Sequence, residues 1–297
     1  MIAERRERRL AWTLTLPALS VIAVVAVFPI VWTFWESLHQ HDLRMPWLGR
    51  PFIGGGNYVA LAGDSRVWEA LGRTGVFVAV TLALELAAGL LLAVALDRIS
   101  RARGLVRTAV LLPWAVPTVV VALVWRFIFE SPDGLATALV TAAGFQAPTW
   151  FADAVGAWVP LILADAWKTT PFVAILLLAG LQTIDGALYE AARMDGAGAW
   201  RQFTHITLPL LRPALLVAAL FRALDAFRVF DLVYVMTGGG PGTATEPIAL
   251  LTFTTLLQNL EFGRGAALSI VVFVLAFLFA LAVVGLLGRR AFLERVS

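Results

Sequence analysis

Charged side chains stand inside two of the long apolar stretches of the chain, where they are costly. Asp165 and Lys168 interrupt one stretch, and Arg222 and Asp225 interrupt another. A charge at the centre of a bilayer costs at least about 2.5–3.5 kcal/mol even on insertion-based scales, so such residues are kept for ion pairing or for function. We therefore expect the two stretches to face a polar cavity or each other.

The spacing of these residues places them on single helix faces. In both stretches the polar residues and their neighbours recur at i, i+3, i+4 and i+7, which is one side of a helix. A third apolar stretch carries a tryptophan and a threonine four residues apart. The candidate substrate-binding residues are Trp114, Thr118, Asp165, Lys168, Thr169, Phe172, Arg222, Asp225, Ala226 and Val229.

This combination of side chains is typical of a sugar site. An aromatic ring stacks on the C–H face of a pyranose, while carboxylate and guanidinium groups bind pairs of hydroxyls. The same charges could instead form internal ion pairs that lock the helices together, and the two interpretations are compatible. The pairs in question are Asp165 with Lys168, and Arg222 with Asp225 and Arg228.

Three other charges in or beside apolar stretches have simpler interpretations. Glu85 is alone in its stretch and is expected to accept a buried hydrogen bond from another span. Arg126 and Glu130 stand at the end of a stretch, where we expect them to reach the membrane surface or to cap a helix.

The composition predicts an all-α polytopic membrane protein. Hydrophobic residues make up 60% of the 297 residues and charged residues 14%, about half the share of a soluble chain. Apolar runs of about 20 residues recur, which is the length needed to cross the hydrocarbon core. We predict one domain, 1–297, with six spans at about 10–37, 74–96, 108–129, 154–181, 214–236 and 265–287. Pro113 and Pro117 should bend or widen the third span.

Several functions are excluded or disfavoured by the residues that are missing. There is no cysteine, hence no disulfide framework or thiolate chemistry. The three histidines lie in predicted loops, and their spacing suggests no metal site. The arginine-rich start precedes an apolar run too long for a signal peptide, so we read it as a retained helix. The basic pI reflects arginines that flank spans and does not indicate nucleic-acid binding.

Arginines are distributed unequally between the two sides of the predicted bundle. One side collects Arg5, Arg6, Arg8, Arg9, Arg98, Arg101, Arg103, Arg107, Arg193, Arg201, Arg212, Arg289, Arg290 and Arg295. The other collects Arg44, Arg50, Arg66 and Arg264. By the positive-inside rule, both termini and the segment 182–213 are cytoplasmic.

The segment 182–213 carries two short helical patterns between apolar spans. Asp185 can cap a first helix over 187–194, and Gly196 can close it in a left-handed turn. A second helix should run through Trp200, Phe203 and Ile206, which share roughly one face.

The end of this second helix is predicted at Leu208, because Pro209 disfavours the helical conformation of the residue before it. Helices of about ten residues are marginal alone in water. The segment therefore needs a surface, either its own membrane helices or a partner.

The residues of this segment resemble the signature loop of the membrane subunits of binding-protein-dependent ABC importers. The matching positions are Glu190, Ala191, Ala192, Asp195, Gly196, Ala197, Trp200, Phe203, Ile206, Leu208 and Pro209. The resemblance implies the type I ABC importer permease fold. It also implies that this segment docks in a cleft of an ATP-hydrolysing subunit, through Glu190, Ala191, Ala192, Asp195, Gly196 and Ala197.

Other stretches resemble the carbohydrate-uptake (maltose/trehalose) branch of this family. These are FIGGGNY, LPWAVP, W-x-x-x-P in the fourth span and T-x-G-G-P after the fifth. ADAWKTTPF and FRALDAFRVFD look most like trehalose permease subunits. By position, the sugar-contacting faces fall on Trp114, Thr118, Asp165, Thr169, Phe172, Arg222, Ala226 and Val229. The charges stand where maltose subunits carry amides or apolar groups, which favours a different disaccharide.

The function implied is that of a transmembrane subunit of an ATP-driven importer in a bacterial cytoplasmic membrane. It would form half of a pathway for a disaccharide, trehalose or a related α-glucoside. The implied partners are a second permease subunit, two ATP-binding subunits and an extracytoplasmic sugar-binding protein or lipoprotein, in a lipid bilayer. No cofactor and no catalysis are expected in this chain. The sequence has no G-x-x-x-x-G-K-[ST], so ATP and Mg²⁺ would bind the partner ATPase.

Two other functions deserve comparison. A proton-coupled secondary transporter would explain charges within the membrane but not the segment 182–213. An intramembrane protease needs a serine–histidine pair or paired aspartates in the membrane, and no histidine falls in a predicted span.

Overall fold

The computed structural model of the protein describes residues 2–99, 103–130 and 132–293. Two of the arginines assigned above to the cytoplasmic side, Arg101 and Arg295, lie outside these residues. Within them the regular structure is helical, and the only β-type pairings are two isolated bridges, His39 with Phe52 and Asp42 with Glu261. The predicted all-α class is confirmed.

The helices of the described residues vary widely in length. In chain order they are α1 (Ile2–Ile22), α2 (Phe28–Ser37), α3 (Gly56–Ala62), α4 (Ser65–Asp97), α5 (Arg103–Ala115), α6 (Thr118–Phe129), α7 (Leu135–Ala142), α8 (Trp158–Leu181), α9 (Gly186–Met194), α10 (Ala199–Gln202), α11 (Leu208–Phe227), α12 (Asp231–Met236), α13 (Ile248–Phe253) and α14 (Phe262–Leu293). Three π-helical turns extend these helices. Ala23–Val27 connects α1 to α2, Phe203–Thr207 connects α10 to α11, and Thr254–Gln258 follows α13. In the described part of the chain, five helices are long and apolar enough to cross a membrane, and there are six if a bent pair counts as one span.

The third predicted span is the bent pair, α5 with α6, whose axes differ by 84°. Pro113 lies inside α5, and Pro117 occupies the N-cap of α6. Proline lacks the N–H that would continue the ladder, and its ring clashes with the preceding turn. The bend predicted from these two prolines is confirmed.

The predicted end of the second short helix at Leu208 is wrong. Leu208 has helical dihedrals, φ −64° and ψ −42°, and its N–H bonds to the carbonyl of Phe203, five residues back. This π-helical turn widens the helix just before Pro209 and so accommodates the proline ring. The helix therefore runs without interruption over Ala199–Phe227.

The fifth span was predicted to reach residue 236, but α11 ends at Phe227 and a separate short helix, α12, follows. Arg228 and Asp231 flank the break, where a polar cavity receives their side chains. Irregular backbone at membrane depth is tolerated where it lines such a cavity. The segments predicted as loops also contain helices, α3, α7 and α13, which are all too short to span.

The chain divides into two compact units, 1–67 with 251–275 and 68–250 with 276–297. In the first unit, Asn57 Nδ2 donates to the carbonyls of Ser37 (2.8 Å) and His39 (2.9 Å). The N–H of Gly263 donates to the carbonyl of His41 at 3.0 Å. These bonds fix the segment after α2 against α3 and the first turn of α14.

The second unit has its apolar core where α4, α8 and α11 meet. Its buried members are Ala93, Leu96, Val173, Leu177, Leu178, Leu181, Leu211 and Ala218. A Cβ at Gly180 would lie 2.6 Å from the Cβ of Ala214, so glycine is required for this close approach of α8 and α11. This packing sets the distance between the two helices that carry the candidate charges.

Candidate functional site

A single guanidinium, that of Arg222, joins two of the predicted site carboxylates and Glu85. Arg222, on α11, pairs through Nε with Glu85 on α4 and through Nη2 with Asp165 on α8. Its Nη1 donates to Asp225 Oδ2, one turn along α11, at 2.8 Å. Arg222 is 2% exposed and Glu85 is 0% exposed, so the pairing is shielded from water.

The Glu85 carboxylate has one further partner, the hydroxyl of Thr169. Thr169 Oγ1 lies 2.7 Å from both Glu85 Oε1 and the carbonyl of Asp165. The predicted buried hydrogen bond of Glu85 is thus confirmed, and an ion pair that the sequence did not indicate accompanies it. Buried charges are tolerated when each is paired and hydrogen-bonded in this way.

Lys168 does not pair with Asp165, and that predicted ion pair is wrong. Its Nζ donates to the carbonyls of Trp114 and Val116, each at 3.1 Å. The break between α5 and α6 deprives carbonyls there of their usual i+4 partners, so they need another donor. An ammonium group, with three N–H bonds, supplies it. Asp165 is already bound by Arg222.

Nine of the ten predicted residues line one cavity of about 220 Å³. Its wall consists of Trp114, Thr118, Asp165, Lys168, Thr169, Arg222, Asp225, Ala226, Arg228, Val229, Phe230, Asp231 and Leu232. The tenth, Phe172, stacks on Trp114 with ring centroids 5.6 Å apart. It lines an adjoining cavity of about 240 Å³.

The sequence missed the last part of the wall, Arg228 and residues 230–232. These follow the end of α11, so the helical spacing used to find Arg222 and Asp225 does not extend to them. Arg228 and Asp231 are charges in an apolar stretch, and that is the signal that could have located them.

The cavity presents some charges to solvent and withholds others. The Asp225 side chain is 65% exposed, although one of its oxygens binds Arg222. Trp114 is 48% exposed, whereas Asp165 is buried. The accessible wall therefore combines an aromatic face with a carboxylate and nearby cationic groups. This arrangement suits a neutral ligand that carries many hydroxyls.

The segment 182–213 folds locally as its residues predict. Asp185 Oδ1 accepts from the N–H of Ala187 at 2.9 Å, which confirms the predicted cap of α9. Gly196 has φ +76°, a conformation that glycine adopts without steric cost. The N–H of Ala197 bonds back to the carbonyl of Ala192 at 2.8 Å and so closes α9.

Apolar side chains of this segment remain uncovered. Met194 is 89% exposed and Trp200 is 76% exposed. The hydroxyls of Tyr189 and Thr207 lie 2.9 Å apart and hold α9 against the π-helical turn. Glu190 and Asp195 are both exposed. The segment thus presents a partly apolar surface at Met194 and Trp200, while Ile184 and Leu211 pack against the chain's own spans.

Comparisons with known proteins agree with this architecture. Residues 85–293 match the family model described as binding-protein-dependent transport system inner membrane component. The chain is 42% identical over 277 residues to the trehalose/maltose transport system permease protein MalF of Thermococcus litoralis, covering 93% of this chain and 92% of that protein. It is 40% identical over 278 residues to the trehalose transport system permease protein SugA of Mycobacterium tuberculosis, covering 92% and 88%.

The fold is similar to a chain in the crystal structure of a bacterial ABC transporter involved in the import of the acidic polysaccharide alginate. The TM-score is 0.83 at 22% identity, covering 97% of this chain and 98% of that chain. The family match extends over the helices that build the cavity and over the segment 182–213. The chain therefore belongs to the family of inner membrane components of binding-protein-dependent transport systems.

Proposed function

We propose that the chain is a transmembrane subunit of an ATP-driven importer and forms half of the pathway for a disaccharide, trehalose or a related α-glucoside. The observation that carries the proposal is the cavity between α6, α8, α11 and α12, where Trp114 stands beside Asp225 and Lys168. The identity of 42% to a trehalose/maltose permease supports the choice of sugar.

The size of the cavity supports a shared site. Ligand pockets usually enclose about 300–1,000 Å³, whereas the cavity in this chain is about 220 Å³. A second permease subunit would complete the site by adding a facing wall. Membrane subunits of transport systems assembled from several chains can divide a binding site in this way.

The residues of the wall would divide the work between them. Trp114, backed by Phe172, would stack on a sugar ring. Asp225 would bind a pair of hydroxyls, and Lys168 would offer its remaining N–H to another, together with Thr118 at the start of α6. Arg222, Asp165 and Thr169 would hold Asp225 and the helices in place, because the two charges are already paired and the Thr169 hydroxyl is bound to Glu85.

Energy would reach this chain from two ATP-binding subunits, which would hold ATP and Mg²⁺. The surface formed by Glu190, Ala191, Ala192, Asp195, Gly196 and Ala197 would dock in a cleft of one of them. Its exposed apolar residues favour such a partner, since uncovered apolar patches mark interaction sites. When the ATPase subunits close, the docked segment would move with them and turn the cavity from one side of the membrane to the other.

Sugar would be delivered by an extracytoplasmic binding protein, in keeping with the family to which the chain belongs. The arginine distribution supports a bundle with both termini and the segment 182–213 in the cytoplasm. The membrane is then a bacterial cytoplasmic membrane.

The test is uptake of labelled trehalose by proteoliposomes that contain the complete complex, its binding protein outside and ATP inside. We expect uptake to require ATP and to persist when an ionophore collapses the proton gradient. Uptake that stops with the ionophore while ATP is retained would instead favour a proton-coupled transporter using the charges around Arg222. Uptake of other disaccharides but not of α-glucosides would overturn the choice of sugar.

A further inference from the structure

A second cavity, of about 530 Å³, lies at the other end of α6 and α12. Its wall includes Arg126 and Glu130 from the end of α6, Thr149 and Trp150 from the segment before α8, and the backbone around Pro241. This volume falls in the range of about 300–1,000 Å³ that is usual for ligand sites. The positive-inside rule places this end of the helices outside the cytoplasm.

The aromatic wall of the outer cavity is held rigidly. Trp150 Nε1 donates to Thr137 Oγ1, on α7, at 3.0 Å. Its ring meets Phe129 edge to face, with centroids 5.0 Å apart and planes at 82°. Phe129 in turn stacks on Trp125 at 5.9 Å. A ring fixed in this way loses little conformational freedom when a ligand stacks on it.

The charged wall is fixed as well. Arg126 Nη1 donates to the carbonyl of Val235, near the end of α12, at 3.0 Å. This bond orients the planar guanidinium while leaving it exposed at the cavity. Glu130 stands one turn further along and is also exposed. A guanidinium and a carboxylate side by side can donate to and accept from neighbouring hydroxyls of one sugar.

The outer cavity and the inner cavity share the same two helices. Thr118 and Arg126 are both on α6 and line one cavity each. Eight residues of helix separate them by about 12 Å along the axis. Leu232 and Met236 do the same on α12. Along α6 the Trp150 cavity thus lies nearer the outer side than the Trp114 cavity.

We propose that the outer cavity is a second carbohydrate subsite, which receives the sugar before it reaches the Trp114 cavity. The proposal rests on the proposed function and adds a second binding site to the translocation pathway. The ligand class is a neutral sugar, because the wall pairs a rigid indole with one cationic and one anionic group. The subsite acts on free sugar, so it binds without the extracytoplasmic binding protein.

The chain contains no cysteine, so one introduced thiol reports on one place. We would label Ala152→Cys, whose residue lines the outer cavity, with a membrane-impermeant maleimide in the assembled complex, without binding protein and with its other subunits free of cysteine. At a trehalose concentration ten times the dissociation constant, labelling should slow about tenfold, because only empty sites react. The matched control is Val155→Cys, which is 76% exposed in the same segment and outside the wall.

A second variant tests the chemistry of the wall. Adding Glu130→Gln to Ala152→Cys preserves the shape of the side chain and removes its charge. The trehalose concentration for half-protection should then rise about tenfold, as expected for losing a hydrogen bond to a charged group. Mannitol, which lacks a pyranose ring, should protect weakly.

The outcomes separate this proposal from the proposed function. If the complex imports trehalose but Ala152→Cys is labelled equally with and without sugar, the outer subsite is wrong and the importer stands. Protection that appears only when binding protein is added would make this cavity a docking surface and would also overturn the subsite. A complex that imports no sugar at all refutes the proposed function first.

Discussion

Two arginines of this protein bind several carboxylates each, in opposite surroundings. Arg222 pairs with Glu85, Asp165 and Asp225 and has a side chain that is 2% exposed. Arg44 donates to Asp42 at 2.7 Å and to Glu261 at 2.8 Å with a side chain that is 49% exposed. The geometry is similar, but only in the second cluster does water reach the guanidinium itself.

The difference shows where an ion pair contributes most to stability. Around Arg44 water screens the charges, and a broken pair is replaced by hydration. Around Arg222, Glu85 and Asp165 come from two other helices and are buried, so water cannot replace a broken pair. Removing one partner of such a buried pair leaves an uncompensated charge, at a cost of about 3–5 kcal/mol. The Arg222 cluster therefore holds α4, α8 and α11 in register around the cavity.

The largest effect should come from Arg222→Ala. Because Glu85 and Asp165 would remain buried without their cation, we expect a loss of about 3–5 kcal/mol in stability. The measurement is the thermal unfolding of the purified complex, together with the fraction of chain that assembles. Arg44→Ala is the matched control and should change Tm by about 2 °C or less. Equal losses in the two variants would show that burial does not set the strength of these two clusters.

Glu190→Ala tests the contrast between buried and exposed charges from another side. Glu190 is exposed in this chain and would become buried only when an ATP-binding subunit docks on it. Truncating one side of a buried interfacial ion pair costs about 2–5 kcal/mol, so import should be lost while the binding protein still binds sugar. Uptake assays and a binding titration measure the two separately. Glu69→Ala removes another exposed carboxylate and should leave import intact. Normal uptake by Glu190→Ala would remove the docking role.

Asp225→Asn and Asp165→Asn divide the Arg222 cluster into its exposed and buried parts. Asp225 faces the cavity, so its change should lower sugar-stimulated ATP hydrolysis about tenfold, as for the loss of one charged hydrogen bond, with Tm nearly unchanged. Asp165 is buried, and its change should lower both hydrolysis and Tm. Unchanged stimulation in both variants would mean that neither carboxylate serves the substrate.

The smallest effect concerns pH and the Arg44 cluster. The hydrogen bond from the Arg44 side chain holds the pKa of Asp42 below its ordinary value of 3.8. A carboxylate with a lowered folded-state pKa stabilises the protein above its unfolded pKa and loses that contribution as pH falls through the folded value. The small Tm difference between the wild type and Asp42→Asn should therefore be constant near neutral pH and shrink below about pH 4. A difference that grows in acid would contradict this account.

Much of the candidate site follows from local rules that a sequence carries. Helical periodicity brought Asp165 and Thr169 to one face, and Arg222 and Ala226 to another, because side chains four apart overlie each other. The cap at Asp185 and the turn at Gly196 are likewise set within a few residues. Such features need no knowledge of how the helices pack.

The features that the sequence did not reveal depend on packing between elements. Whether Asp165 meets Lys168 or Arg222 depends on the rotation of α8 against α11, and the pairing of Glu85 depends on α4 as well. The π-helical turn that accommodates Pro209 and the break after Phe227 are local, but they compete with regular helix by small energies. Packing between the assembled helices determines which of these conformations is stable.

The two hydrogen bonds that Lys168 donates at the bend between α5 and α6 have a mechanical consequence. Two carbonyls of one span are satisfied by the side chain of another, so straightening that span breaks two bonds to a charged donor. The stiffness of the joint is therefore set from α8 and not by the prolines alone. A chain in which a shorter side chain replaces this lysine keeps its bend but loses these two hydrogen bonds. The angle between α5 and α6 is then free to change.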